Sequence, residues 1–305
     1  MNRKTNIAIS AAILALLSAC GGGGGGDTPT AVQSSGDVVV APSPAPAASD
    51  PVPVVPVVPV VPASPLLAGA EDRPLLSAPQ VGSTAAGSDS TEGVYNSFSG
   101  FALIGPNGQI SIRTVVAWVF GGITLSTDRL SWNFDSGSSE LFISSVPING
   151  SGTVSQTKTL AGTYNYNTNP TATPKSVQLT YSVANALAVD QTSVSGTWTS
   201  TGISLVIDSA GTLSGTTSGA SLGTCSLTGT APLTTQNSKK NLYGLSFVAT
   251  GTGCNLTLNS AYTGHAAIEF IPAGTFVNQG YYRGLAFIVK TAGGAALSAI
   301  PKKQP

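Results

Sequence analysis

Few side chains in this sequence could do chemistry, and they lie far apart. There are three cysteines, Cys20, Cys225 and Cys254, and one histidine, His265. A zinc site needs a set of close sulfur and nitrogen ligands, which these residues do not supply. Calcium needs several neighbouring oxygen ligands, and the sequence contains no Asp-x-Asp run. The sequence therefore predicts no metal site and no bound cofactor.

A nucleophilic serine is the next candidate. Residues 219–223, Gly-Ala-Ser-Leu-Gly, match the pattern of a nucleophile elbow around Ser221. That motif functions on a strand-to-helix turn and is followed by an acidic residue and then a histidine. Here the flanking segments are strand-like, and the one later acidic residue, Glu269, comes after His265. We therefore do not expect serine hydrolase chemistry.

Carboxylate pairs and the histidine give no clearer catalytic pattern. A glycosidase needs two carboxylates across a cleft, whereas Asp135 and Glu140 bracket a short turn. In the strand-like segment 265–270, alternation places His265 and Glu269 on the face opposite the apolar side chains. We interpret that face as solvent-exposed, so the histidine is not expected to act as a base. The sequence predicts a protein that is not an enzyme.

Two pairs of tyrosines are the candidates for a binding surface. Tyr164 and Tyr166 lie in a stretch rich in Asn and Thr, and Tyr281 and Tyr282 precede Arg283. Tyrosine combines an apolar ring with a polar tip, which suits contact surfaces, but the same pattern also fits packing in a core or at an edge strand. Both interpretations stay open at this point.

The N-terminus has the order of a secretory signal. Arg3 and Lys4 precede an apolar run that ends in Leu17-Ser18-Ala19-Cys20. These four residues resemble the lipobox of bacterial lipoproteins. The resemblance implies a signal peptide of residues 1–19 and lipidation of Cys20 with diacylglycerol and an amide-linked acyl chain such as palmitate. The alternatives are an ordinary signal peptide with an incidental cysteine, or a buried helix.

The same resemblance predicts a location. In that class an aspartate directly after the cysteine retains the protein in the inner membrane, and here the next residue is Gly21. The implied place is the outer membrane, at either the cell surface or the periplasmic face, with the lipid as the membrane attachment. No later run approaches the ~18 apolar residues of a spanning helix.

Export also bears on the other two cysteines. With Cys20 lipidated, Cys225 and Cys254 remain, and an even remainder in an oxidising compartment predicts one disulfide. The alternative is two free buried thiols. A bridge between them would close a loop of about 30 residues and stabilise the protein by roughly 3.5 kcal/mol in the chain-entropy model.

Residues 20–92 have the composition of a tether. A glycine run at 21–26 is followed by a stretch rich in Ser, Ala, Pro and Val, including prolines at every third position from Pro53 to Pro62. Such a segment cannot bury enough apolar area to fold, so we predict that it is disordered. The proline repeat suits polyproline II and would act as a spacer of ~45 Å. The alternative is a docking motif for a proline-binding module.

The remaining sequence predicts an all-β body. Runs such as Ile203, Leu205 and Ile207 alternate with polar residues, and Gly, Asn and Asp punctuate them. An internal repeat at an offset of 103 places Gly93 over Gly196 and continues through the first hairpin. We therefore predict two similar antiparallel units, each a small barrel or a sandwich, at residues 93–190 and 191–300, with a tail at 301–305.

Charge argues against nucleic-acid binding. Only 9% of the residues are charged, and without residues 1–19 eleven basic residues face thirteen acidic ones. No cluster of Lys and Arg is present that could neutralise phosphates. The partners predicted are the membrane, through the lipid anchor, and an unidentified protein or glycan.

Three segments resemble a known group. Residues 194–198, 211–215 and 224–230, together with Cys254, look like β-rich C-terminal domains of largely uncharacterised proteobacterial lipoproteins. A more distant likeness is to surface lipoproteins of the factor H binding and transferrin-binding protein type. The lipobox-like residues, the Gly/Pro-rich spacer and the lack of catalytic groups together predict a non-enzymatic outer-membrane lipoprotein that displays a binding or adhesive β body on a flexible tether. The alternative is a periplasm-facing structural or assembly lipoprotein.

Overall fold

The computed structural model describes residues 66–87, 91–98, 100–275 and 279–305. The signal peptide, Cys20 and residues 21–65 of the predicted tether lie outside the described residues. The described part is all-β, with helical structure limited to three short 3-10 turns. Its strands form two separate closed antiparallel barrels, each with eight strand positions. The predicted fold class is therefore confirmed, and the units are barrels and not sandwiches.

The first barrel is an up-and-down meander in which the strands at successive positions pair with each other. Strand β9 pairs with β1 and closes the ring, while β5 and β6 share one position between β4 and β7. Its strands are β1 (Gly93–Ser97), β2 (Gly100–Ile104), β3 (Gln109–Arg113), β4 (Trp118–Leu125), β5 (Ser131–Phe134), β6 (Ser139–Leu141), β7 (Ser145–Ser155), β8 (Thr159–Tyr166) and β9 (Lys175–Tyr181).

The second barrel has the same meander. Strands β17 and β18 share the last position beside β16, and β18 pairs with β10 to close the ring. Its strands are β10 (Gly196–Ser200), β11 (Ile203–Ile207), β12 (Thr212–Thr217), β13 (Ser226–Thr230), β14 (Tyr243–Thr250), β15 (Ala261–Pro272), β16 (Tyr281–Lys290), β17 (Ala296–Ala299) and β18 (Lys302–Lys303).

The C-terminal residues are part of this second barrel. The prediction that 301–305 form a tail is wrong, because Lys302 and Lys303 pair with Thr199 and Trp198. Antiparallel sheets expose unpaired backbone groups at their edges, and here the last residues satisfy the edge of β10. The chain end thus closes the barrel.

The internal repeat is visible as matching structure. Strands β1 to β3 and β10 to β12 start at positions that differ by 103 residues. Gly93 and Gly196 both have a positive φ, 130° and 121°, which favours glycine. The Tyr95 hydroxyl donates to the Thr91 carbonyl at 2.8 Å, and the Trp198 indole N–H donates to the carbonyl four residues earlier at 2.8 Å. In each repeat, a buried aromatic side chain on the first strand is therefore hydrogen-bonded to the backbone just before that strand.

Inward-pointing side chains fill both barrels. In the first barrel Trp132 is fully buried, and its indole N–H donates to the Ala161 carbonyl at 3.1 Å. A Cβ on Gly152 or Gly162 would lie 2.6 or 2.7 Å from that indole, so both positions require glycine. The second barrel has its own larger core around Trp198, Tyr243 and Phe247. Period-two alternation thus predicts which side chains enter the cores.

The barrels pack side by side through their outer faces. Strand β2 lies against β15, and β3 lies against β16. A buried apolar cluster joins the two faces, and we call it the seam. It consists of Val94, Phe101, Leu103, Phe120, Leu242, Ala267, Ala286 and Ile288.

Two buried asparagines hold the connection between the barrels. Asn185 lies in the 3-10 turn Val183–Ala186 and exchanges hydrogen bonds of 2.8 and 2.7 Å with the Val94 backbone. The Asn241 amide donates to the carbonyls of Ala184 and Ile268 at 3.0 and 2.7 Å. The connection is therefore fixed to both barrels.

The segment 66–87 is structured, which corrects the predicted end of the tether at residue 92. Glu71 pairs with the backbone of Tyr281 through two hydrogen bonds of 2.9 Å, and its carboxylate pairs with Arg283. The Thr84 hydroxyl accepts a hydrogen bond from the backbone N–H of Asn241 at 3.1 Å. Composition alone misses this, because a polar segment can be ordered by backbone pairing to an existing sheet.

Candidate functional site

The turns at one end of the first barrel carry exposed apolar side chains. Because strands alternate in direction, the β1–β2, β3–β4 and β6–β7 turns lie at the same end of the barrel. We call this the apolar end. Phe98 is fully exposed and Ile143 is 88% exposed there. The exposed large residues on these turns are Phe98, Val115, Val116, Phe142 and Ile143.

A shallow depression lies at this mouth. It has a volume of about 200 Å³ and is lined by Phe98, Thr114, Val119 and Tyr164 among others. The turns around it contain no Asp or Glu, and Arg113 and Lys175 stand at the adjoining strand ends. The turns of the apolar end are thus hydrophobic, and basic residues lie at the strand ends beside them.

A buried charge cluster stands behind that mouth. Glu140 is almost fully buried, and it accepts hydrogen bonds from the Lys175 ammonium at 2.7 and 2.8 Å and from the Tyr164 hydroxyl at 3.0 Å. Lys175 also donates to the Tyr166 hydroxyl at 2.5 Å. Burial opposes the charge on Lys175, but the hydrogen bonds to Glu140 and Tyr166 outweigh it and raise the pKa of the ammonium. Burial and Glu140 also raise the pKa of Tyr164.

The structure separates the first pair of predicted tyrosines. Tyr164 is buried in the first core, whereas Tyr166 is half-buried with the Lys175 ammonium 4.5 Å from its ring centroid. Both lie near the apolar end, and both contact the cation that neutralises Glu140. Sequence spacing does not show that Glu140 lies with them, because β6 and β8 are brought together only through β7.

The second pair makes contacts within the chain. The Arg73 guanidinium lies 4.7 Å from the Tyr281 ring centroid, and Phe270 meets the same ring edge-on at 6.2 Å. The Lys302 ammonium lies over the Tyr282 ring. For this pair the structure matches the packing alternative.

His265 is buried at the interface between the barrels, which corrects its predicted exposure. It is 8% exposed, and a Cβ on Gly105 would lie 2.9 Å from its Nε2 atom. Its side chain does point out of the second barrel, as alternation predicts, but the first barrel covers that face. Burial lowers the pKa of His265. Glu269 is covered as well; its pKa is raised by burial, and the Ser182 hydroxyl donates to it.

A cleft opens beside the seam. It has a volume of about 560 Å³ and lies between strands β3 and β4 of one barrel and β13 to β16 of the other. Lys290 and His265 enter it from β16 and β15, and Phe120 stands on the opposite wall. Hydroxyl and amide groups supply the rest of its polar lining: Gln109, Ser111, Thr230, Ser246 and Thr263.

The disulfide prediction is confirmed. Cys225 is bonded to Cys254, with their Cα atoms 4.6 Å apart. Cys225 directly precedes β13, whereas Cys254 lies in the β14–β15 connection and does not begin a strand. The bond therefore joins the β12–β13 connection, just before β13, to the β14–β15 connection at one end of the second barrel.

Other candidate chemistry is scattered among the described residues. Ser221 is exposed in the β12–β13 connection, outside any strand-to-helix turn. No group of three or more His, Cys, Asp and Glu in the described part is arranged to hold a metal ion. The described helical turns include none long and apolar enough to cross a membrane.

Comparisons with known proteins do not extend these observations. No protein-family model matches the chain. No curated protein matches it, and no solved structure matches it. The resemblance to bacterial lipoproteins therefore stays a prediction from the sequence motifs.

Proposed function

We propose that this chain is an outer-membrane lipoprotein, anchored through Cys20, whose two barrels form a non-enzymatic binding or adhesive body. The lipobox-like residues 17–20 and the glycine run after them support the anchor and the tether. The disulfide supports export, because such bonds persist in oxidising compartments. The observation that carries the binding role is the apolar end of the first barrel.

Exposed apolar side chains on neighbouring turns are unusual on a protein surface. Single exposed apolar residues need no explanation, but contiguous patches mark interaction sites. Five large apolar side chains are exposed on three turns at one end. Their exposure costs solubility without contributing to the core, so a binding role accounts for them.

The partner that fits this end is a protein with an apolar anchor and an acidic rim. The depression of about 200 Å³ can accept one apolar side chain, as interface hot spots do. Arg113 complements an acidic group, whereas the Lys175 ammonium is already paired with Glu140. The turns around the depression carry no acidic residue that would repel such a group. A lipid surface would contact the exposed apolar side chains of the turns but would make no use of the depression. We therefore favour a protein partner.

The anchor is tested by changing the lipidated residue. In cells given labelled palmitate, the wild-type chain is expected to take up label and to fractionate with the outer membrane. Cys20→Ser is expected to lose both, and globomycin to leave a larger precursor. Unchanged labelling and fractionation in Cys20→Ser would overturn the lipoprotein proposal.

The binding end is tested by photo-crosslinking in intact cells. A photoreactive phenylalanine at Ile143 is expected to capture one protein, which is then identified by mass spectrometry and purified. The matched control carries the photoreactive phenylalanine in place of Val206, which is exposed on the second barrel. Binding of the purified partner to the full chain should weaken in Ile143→Ser. Equal adducts at both positions, adducts only with lipid, or adducts only with a second copy would contradict the proposal.

Protease treatment of intact cells separates the two faces of the membrane. A body at the cell surface is cleaved at once, whereas a periplasmic body is cleaved only after the outer membrane is breached. Early cleavage supports display, and delayed cleavage supports the structural or assembly alternative.

A further inference from the structure

The cleft between the barrels contains a cation without a carboxylate partner. Lys290 is partly buried, and its ammonium lies 4.8 Å from the Phe120 ring centroid. The ion pairs between described residues use other cations, Lys175, Lys240 and Arg283. No acidic residue belongs to the described lining of the cleft. A half-buried ammonium that faces only an aromatic ring favours an added anion, because burial of an unpaired charge is unfavourable.

Two polar side chains that are more than nine-tenths buried also line this cleft. Ser111 is 7% exposed and His265 is 8% exposed. Neither side chain is hydrogen-bonded to another residue in the described part of the chain. Polar groups in such mostly buried side chains nearly always have partners, and those of Ser111 and His265 reach the cleft, where a ligand or solvent can bond them.

The remaining polar lining is more open, because Gln109, Thr230 and Thr263 are exposed and Ser246 is partly buried. The side chains of Gln109, Thr230, Ser246 and Thr263 make no hydrogen bond to another described residue. Thr263 lies directly opposite Lys290 in the β15–β16 register, and His265 lies two residues further along the same face. These side chains line the same cleft as the Lys290 ammonium and do not form a hydrogen-bond network among themselves.

We propose that this cleft binds a small hydroxylated carboxylate of the sugar-acid class, with Lys290 pairing with the carboxylate and the Ser, Thr, Gln and His side chains meeting the hydroxyls. One cation matches one negative charge. A phosphate dianion is less suited, because phosphate sites usually add arginines or a helix N-terminus, and strands form these walls. The volume of about 560 Å³ falls in the range of small-molecule sites. This site depends on neither the anchor nor the apolar end.

The single histidine makes the test direct. In protein labelled with ¹³C-histidine, the purified full chain gives one imidazole Cε1 signal, from the cleft itself. Titration with D-glucuronate is expected to move that signal with a saturable curve. Acetate supplies the carboxylate alone and glucose the hydroxyls alone, and both should bind at least about tenfold more weakly, because each loses hydrogen bonds to the cleft.

Variants assign the effect to the cleft. Lys290→Gln is expected to weaken glucuronate binding at least about tenfold, the usual consequence of losing a charged hydrogen bond. Ser111→Ala should weaken it less. Lys158→Gln is the matched control, because Lys158 is exposed in the β7–β8 turn of the first barrel. Its titration should equal that of the wild type.

Several results would overturn the proposal. They are the absence of a saturable shift with glucuronate, an unchanged affinity in both Lys290→Gln and Ser111→Ala, or tighter binding of inorganic phosphate than of glucuronate. The two cleft variants differ in charge, so a folding defect in one leaves the other as a test. The crosslinking result at Ile143 is independent of all of these outcomes.

Discussion

Replacement of Asn185 by alanine tests whether the connection between the barrels is a structural clamp. The Asn185 side chain accepts from the Val94 N–H at 2.8 Å and donates to the Val94 carbonyl at 2.7 Å and the Ser182 carbonyl at 3.0 Å. It is fully buried. A Cβ on Gly93 would lie 2.3 Å from its Oδ1 atom, so the β1 backbone approaches it closely.

The expected cost follows from the bonds lost. Three buried hydrogen bonds at a net ~1 kcal/mol each predict a loss of about 3 kcal/mol in the free energy of unfolding. Alanine leaves the Val94 N–H and two carbonyls without a side-chain partner, and water does not reach a fully buried site easily. For a body of this size, 3 kcal/mol corresponds to a fall in Tm of roughly 6–12 °C.

Tryptophan fluorescence reports the result on each barrel. Trp132 lies in the core of the first barrel and Trp198 in that of the second, whereas the Trp118 indole N–H donates to Ser298 of the second barrel at 3.0 Å. A Trp118→Phe, Trp198→Phe background therefore reports the first barrel through Trp132. Urea unfolding of Asn185→Ala is then compared with Asn167→Ala, whose exposed side chain makes no hydrogen bond to another described residue. A loss below about 1 kcal/mol, the average for any substitution, or a loss equal to that of the control would refute the clamp.

Three further predictions concern single contacts. Replacing both disulfide cysteines by serine should lower the free energy of unfolding by about 3.5 kcal/mol, and an unchanged urea midpoint would contradict the entropic account. Burial lowers the pKa of His265 below 6.5, so as pH falls the imidazole takes up its proton in the unfolded chain before it does so in the folded chain. The free energy of unfolding should therefore decrease as pH drops from 6.5 towards the folded pKa, by at most ~1.4 kcal/mol per pH unit. Parallel pH curves for wild type and His265→Gln would exclude this. Lys175→Met leaves Glu140 buried without its cation and should cost about 1–3 kcal/mol, since the exposed lysine is partly screened; Lys158→Met should cost almost nothing.

Alternation and turn residues are enough to predict two antiparallel β units, although they leave open whether each is a barrel or a sandwich. The inward face of a strand such as β11 follows from Ile203, Leu205 and Ile207, because the side-chain period is two. The repeat followed from Gly93 and Gly196, whose positive φ restricts the residue type. These features depend on local geometry, which a single sequence contains.

Contacts between distant segments could not be predicted in this way. Alternation shows that His265 points out of the second barrel, but only the packing of β2 against β15 shows that the first barrel covers it. The same holds for Glu71, which pairs with Arg283 more than two hundred residues away. In such cases neither the alternation pattern nor the composition shows which distant residue a side chain will contact. The clustering of polar side chains in the cleft was missed for this reason.

The repeat also separates what the fold needs from what the function needs. Corresponding strands and buried aromatic rings are retained in both barrels, so they serve folding. The turns at one end differ: in the second barrel the β12–β13 and β14–β15 connections are joined by the disulfide, whereas in the first barrel Phe98 and Ile143 are exposed. The two barrels share the same first hairpins, so folding alone gives no reason for their turns at this end to differ. This difference supports the proposed contact with a partner. Replacing Phe142 and Ile143 by serine should leave the urea midpoint unchanged and weaken the proposed contact.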